Sequence, residues 1–210
     1  MRCKSKILFI YYLILLFLLI GCPLPQGVNT MGNTNNSSGS SSSSSSNGSN
    51  TVILPLTVGN TWIYNVITSV GTDTLTTSVL DIVALGGVDT YRVGTNTQYN
   101  YYRNYSDGLY KFGDSTEIYT SRRLFIMYPC VVGNTWSFNG GTYRVNNLSR
   151  SVTVPAGTFN CIEYYYRRNT GSGVTEHYEY WAPGIGQIRQ DVYVDSVLIV
   201  SIQLTSYTII

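Results

Sequence analysis

A chain of 210 residues allows one domain or two small ones. Its 19 Tyr and 20 Gly, with only 11% charged residues, lean towards pleated, half-buried surfaces rather than helices. The formal charge is +2, but Arg2, Lys4 and Lys6 lie in the opening segment, and without them the chain is close to neutral. A near-neutral domain has no long-range field to gather nucleic acid, so no nucleic-acid partner is expected.

The first segment has a basic start and an unbroken apolar run from Ile7 to Ile20, shorter than the roughly 20 residues a membrane-spanning helix needs. It reads as a secretory signal over residues 1–21. Its end, Leu19-Ile20-Gly21-Cys22, resembles the lipobox of bacterial lipoproteins. That resemblance implies cleavage before Cys22, acylation of Cys22 and attachment to a membrane in the cell envelope, the outer membrane being the expected one. Several buried acyl chains hold a protein to a bilayer far better than one. The alternative is an ordinary signal or anchor that happens to carry a cysteine.

Residues 23–50, "PLPQGVNTMGNTNNSSGSSSSSSSNGSN", hold almost no apolar side chains and no periodicity. Such a stretch cannot repay the entropy of folding and is expected to be a disordered tether. As a Gly/Ser coil it spans on the order of 30 Å, which stands a folded domain clear of the lipid.

From Thr51 onward the signals are strands and turns. Expected strands are Val52–Leu56, Thr61–Val70, Thr74–Leu85, Thr90–Val93, Gln98–Tyr105, Leu109–Phe112, Thr116–Ser121 and Leu124–Met127. They continue with Thr142–Val145, Ser151–Val154, Phe159–Arg168, Val174–Trp181, Gln187–Val194 and Val197–Ile209. Turns at Gly71-Thr72-Asp73, Gly86-Gly87, Ser106-Asp107-Gly108 and Asn139-Gly140-Gly141 separate them. The expected fold is all-β: antiparallel strands in one sandwich, barrel or half-barrel.

"PLTVGNTWIY" at 55–64 is echoed by "PCVVGNTWSF" at 129–138. In each copy Gly-Asn supplies a sharp turn, Thr opens a strand, and Trp is its first large side chain. The echo suggests two similar halves beginning near Pro55 and Pro129, with Gly59–Trp62 and Gly133–Trp136 delivering anchors to a common core. Exposure of both indoles as platforms for sugar rings is the alternative. Further bends are expected at Pro155, Gly157 and Phe159, and at Trp181, Gly184 and Gly186. Taken in order, Gly-Asn-Thr-Trp, Val-Pro-Ala-Gly-Thr-Phe and Trp-Ala-Pro-Gly-Ile-Gly resemble a loose group of uncharacterised bacterial lipoproteins. The resemblance implies an all-β envelope lipoprotein and brings no catalytic residues with it.

Cys130 and Cys161 remain as an even pair in an exported domain, so a disulfide is expected, with two buried thiols as the alternative. Chemistry is sparse. His177 is the one histidine, flanked by Glu176 and Glu179, and only Glu179 shares its strand face. No Gly-x-Ser-x-Gly elbow or metal-ligand spacing accompanies it, so neither catalytic residues nor a metal or other cofactor is expected. Glu163, Glu176 and Glu179 read as solvated strand acids. Tyr101, Tyr102 and Arg103, with Tyr164, Tyr166 and Arg168, are the candidate ligand-contacting residues, because Tyr and Arg suit glycan or protein surfaces. Three functions follow: a non-enzymatic structural or interaction module, a barrel carrying a lipid or glycan, and a hydrolase built around His177.

Overall fold

The computed structural model describes residues 52–210. The signal segment, Cys22 and the Ser/Gly-rich tether lie outside the described residues. The first half of the fold comprises β1 (Thr61–Thr68), β2 (Gly71–Leu85), β3 (Val88–Gly94), β4 (Tyr99–Tyr105), β5 (Gly108–Asp114) and β6 (Ile118–Met127). The second comprises β7 (Thr135–Phe138), β8 (Gly141–Val154), β9 (Gly157–Asn169), β10 (Val174–Ala182), β11 (Gly186–Val194) and β12 (Val197–Thr208). All twelve form one antiparallel sheet in the order β6-β5-β4-β3-β2-β1-β12-β11-β10-β9-β8-β7. No helix occurs among the described residues.

The sheet is two six-stranded meanders joined through β1 and β12, and it curls until its edges meet. There the seam is closed by side chains: Trp136 Nε1 on β7 donates to the Phe125 carbonyl on β6 at 3.1 Å, and the Tyr164 hydroxyl donates to the Met127 carbonyl at 2.8 Å. Closure of this kind covers edges that would otherwise recruit other strands.

The echoed phrase opens each half with the same backbone bonds. Gly59 N and Gly133 N, both at positive φ, donate to the carbonyls of Val79 and Val145, and Asn60 and Asn134 carbonyls accept from those same two valines. The indoles then diverge. Trp62 is 1% exposed and donates to the Ile185 carbonyl at 2.7 Å, whereas Trp136 is half-buried at the seam, stacked on Tyr143.

Five expected elements differ. Val52–Leu56 is not a strand: Ile53 and Leu54 are buried and cap the end of the barrel where β1 begins, held by Gly184 N on the Val52 carbonyl and Asn104 Nδ2 on the Leu54 carbonyl. Thr116–Ser121 and Leu124–Met127 merge into β6, and Thr142–Val145 and Ser151–Val154 merge into β8. The polar runs between them are bulged or edge backbone, not turns.

The core is the barrel interior, filled by Trp62, Tyr64, Tyr102, Leu109, Ile126, Tyr143, Tyr164, Trp181, Ile188 and Leu204. Strand alternation sends every second residue inward. On β10 this aims His177, Glu179 and Trp181 into the barrel and leaves Glu176, Tyr178 and Tyr180 on the outer face.

Candidate functional site

A cavity of about 230 Å³ lies inside the barrel, walled mainly by apolar surface. Leu54, Trp62 and Trp181 lie at the end where β1 begins. Tyr64, Tyr102, Phe125 and Phe138 line its sides, and the half-exposed Thr95, Gln98 and Ser115 form a rim at the other end. An engineered apolar cavity of about 150 Å³ admits benzene, so this one has room for a substituted ring.

Two charged groups interrupt the apolar wall. Glu179 on β10 is 1% exposed. Its Oε1 accepts from the Tyr143 hydroxyl at 2.7 Å and more loosely from Gln190 Nε2 at 3.4 Å; its Oε2 accepts from Trp181 Nε1 at 3.0 Å and from Gln187 Nε2 at 3.5 Å. Burial and the neighbouring carboxylate push the Tyr143 phenol well above its ordinary range, which keeps it a donor. Lys111 on β5 also lines the cavity, and its Nζ bonds Asp114 Oδ2 at 3.0 Å in a buried ion pair. Burial pushes Lys111 below its ordinary value. Burial pushes Asp114 up, but hydrogen bonds from Thr116 and the Lys111 charge outweigh that and hold its carboxyl low.

His177 faces a different space. It sits 3.8 Å from Glu179 Oε1, and Gln190 Nε2 lies 3.3 Å from its Nδ1. Beside it is a void of about 30 Å³ lined by Tyr143, Tyr166, Arg168 and Thr175, room for a water or two.

The tyrosine and arginine candidates separate. Tyr102 lines the large cavity, stacked on Phe125. Tyr101 and Arg103 take the outer face of β4, where Tyr101 meets Tyr99 edge-on and Arg103 donates to the Asp89 carbonyl. Tyr164 and Tyr166 point inward, Tyr166 packing against Tyr143 and His177, and Arg168 lines the smaller void. No single surface unites them.

The cysteine pair is corrected. Cys130 and Cys161 are both free thiols. Cys130 Sγ contacts the Tyr164 hydroxyl at 3.7 Å, while Cys161 Sγ turns back to the Phe159 carbonyl of its own strand. The bend residues hold backbone corners: Gly157, Gly184 and Gly186 have positive φ, Pro155 sits exposed at the β8–β9 tip, and Phe159 packs on Tyr207. A Cβ on Gly186 would come 2.8 Å from Leu54 and 3.5 Å from Trp62, so its bareness lets the cap and the indole close together.

Glu179, Lys111 and Asp114 escaped the sequence reading because an acid or base on a strand is ordinarily solvated. The usable signal was Glu179 sharing the His177 face with Trp181, an indole that belongs inside. The three acids divide: Glu176 and Glu163 lie on the outer face and Glu179 in the interior. Arg167 lies opposite Glu176 in register, but Glu176 accepts from the Tyr165 hydroxyl. Tyr165, Tyr178 and Tyr193 form an outer aromatic row beside a shallow depression that Glu176 and Asp191 also line. Among the described residues no group of three or more His, Cys, Asp or Glu is placed to hold a metal ion.

Residues 142–204 match the family described as DUF3108-like, which covers β8 to most of β12. A search of curated proteins finds no match. Two solved structures are similar: a candidate lipoprotein from Parabacteroides distasonis (14% identity, TM-score 0.42, 75% of this chain and 99% of that one) and a candidate exported protein with a YmcC-like fold from Bacteroides fragilis (14% identity, TM-score 0.44, 76% and 100%).

Proposed function

We propose that this is a non-enzymatic, lipid-anchored binding protein of the bacterial envelope whose barrel takes up one small, largely apolar molecule. The interior cavity carries this reading, because a packed barrel would support only a structural module. Leu19-Ile20-Gly21-Cys22 and the tether that follows support the anchor at Cys22. A hydrolase around His177 has little support: the space beside it admits water but no substrate, and among the described residues no serine or threonine hydroxyl hydrogen-bonds to it.

Native mass spectrometry of the mature protein isolated from its own envelope tests the proposal. The expected result is one small molecule per chain, lost in Ile202→Phe, which fills the cavity from β12. A chain that never carries a molecule, and whose melting temperature no small aromatic compound raises, would leave only the module reading.

The outer row of Tyr165, Tyr178 and Tyr193 favours a second role as a contact surface for a glycan or protein, since rings flanked by carboxylates suit sugar faces and hydroxyls. Weaker glycan-array binding by Tyr178→Ala than by the parent would support it.

A further inference from the structure

The acids inside the barrel are held differently. Lys111 and Asp114 cancel each other as an ion pair. Among the described residues Glu179 has no lysine or arginine partner. Its close neighbours are Tyr143, Trp181, Gln187 and Gln190, all neutral donors. Among the described residues the basic side chain within 4 Å of it is His177. Gln190 Nε2 lies 3.4 Å from Glu179 Oε1 and 3.3 Å from His177 Nδ1, so the amide stands between the carboxylate and the ring. A buried carboxylate held by neutral donors alone is costly, and a cation entering the adjoining space would offset that cost.

The walls suit an organic cation better than a hydrated metal ion. Trp62, Tyr64, Tyr102, Phe125 and Trp181 line the same cavity as Glu179. Aromatic faces attract an ammonium group, most strongly where water is excluded. The indole N–H of Trp181 and the amide NH2 groups of Gln187 and Gln190 that face Glu179 offer no lone pair to a metal ion there.

Resting on the proposed binding role of the cavity, we infer that its ligand is an organic ammonium, with the charged nitrogen against Glu179 and the apolar remainder among the aromatic walls. The arrangement selects against carboxylates, which would meet Glu179 as a like charge, and it favours amines over alcohols of the same shape.

Calorimetric titration of the wild-type protein with 2-phenylethylamine, 2-phenylethanol and 3-phenylpropanoate tests this directly. The amine should bind at least about tenfold more tightly than the alcohol, and the carboxylate should not bind. Glu179→Gln, which keeps the shape, should bring the amine down to the level of the alcohol while leaving the alcohol unchanged. The three-probe comparison on wild type stands even where that variant fails to fold. Equal binding of amine and alcohol, or tighter binding of the carboxylate, overturns the ammonium inference and leaves the binding role intact. Binding of none of the three overturns both.

Discussion

Tyr143 on β8 reaches across 36 positions of sequence to donate its hydroxyl to Glu179 on β10, at 2.7 Å, inside a barrel wall built mainly of rings and aliphatic chains. Both groups are buried, so neither can fall back on water. Removing a buried donor from a charged acceptor costs more than the mean hydrogen bond. Tyr143→Phe should therefore lower unfolding stability by about 1–3 kcal/mol, read as a lower urea midpoint with an unchanged slope. Trp181→Phe, which removes the bond to Oε2, should do the same. A midpoint unmoved by either change would mean that Glu179 is not held as described.

The echoed phrase predicts unequal consequences for equal residues. Asn60 is fully buried, donates to the Pro55 carbonyl and accepts from Ile210 N, tying the start of β1 to the cap and to the C-terminus. Asn134, half-buried, accepts from Val131 N in its own turn. Asn60→Ala should cost about 2 kcal/mol and Asn134→Ala less than about 1 kcal/mol. Trp62→Ala should cost about 3–5 kcal/mol, well beyond Trp136→Ala, because only Trp62 is completely enclosed. Equal losses in the two halves would contradict the placement of β1 at the centre of the sheet and β7 at its edge.

Much of the architecture was readable because alternation and turn glycines are local signals. Gly71, Gly86-Gly87, Gly108 and Gly140 all sit where strands reverse, and the Gly-Asn-Thr-Trp echo marks the two halves. Errors arose where a local signal served a distant purpose. Val52–Leu56 has strand-like apolar content, yet its side chains cap a barrel end. Thr142–Val145 and Ser151–Val154 read as separate strands, but Ser149 N bonds Asn147 Oδ1 within a bulge and β8 continues through it. The site was less legible still. Nothing near Glu179 in sequence reveals that Tyr143 and Gln190 converge on it, and the cavity exists only once both halves curl together.

The free thiols give a chemical test. Burial pushes the Cys161 thiol up to about 12, and burial also raises Cys130, partly offset by the Tyr164 hydroxyl. Both should therefore be poor nucleophiles in the folded protein. A colorimetric thiol assay on the mature chain should find Cys161 silent and Cys130 slow under native conditions, and both fully reactive in denaturant without any reductant. Thiols that appear in denaturant only after reduction would restore the disulfide.

Alkaline pH should unfold the protein cooperatively. Burial pushes the phenols of Tyr64, Tyr102, Tyr143 and Tyr164 far above their ordinary value near 10, and that of Tyr166 up to about 12. Below pH 10 both folded and unfolded chains keep these protons, so the shifts have no effect. Above it the unfolded chain releases protons that the native barrel retains, so each such tyrosine removes about 1.4 kcal/mol of stability per pH unit. Lys111 acts in the opposite sense. Held below its ordinary value, it lets stability rise with pH until the unfolded lysine also loses its proton, near about 10.4. One lysine cannot offset four or more tyrosines. Tyrosinate absorbance should therefore rise in a steep step that coincides with loss of near-ultraviolet circular dichroism. A gradual titration of every tyrosine around pH 10, with the native dichroism intact, would show that the interior rings are open to water.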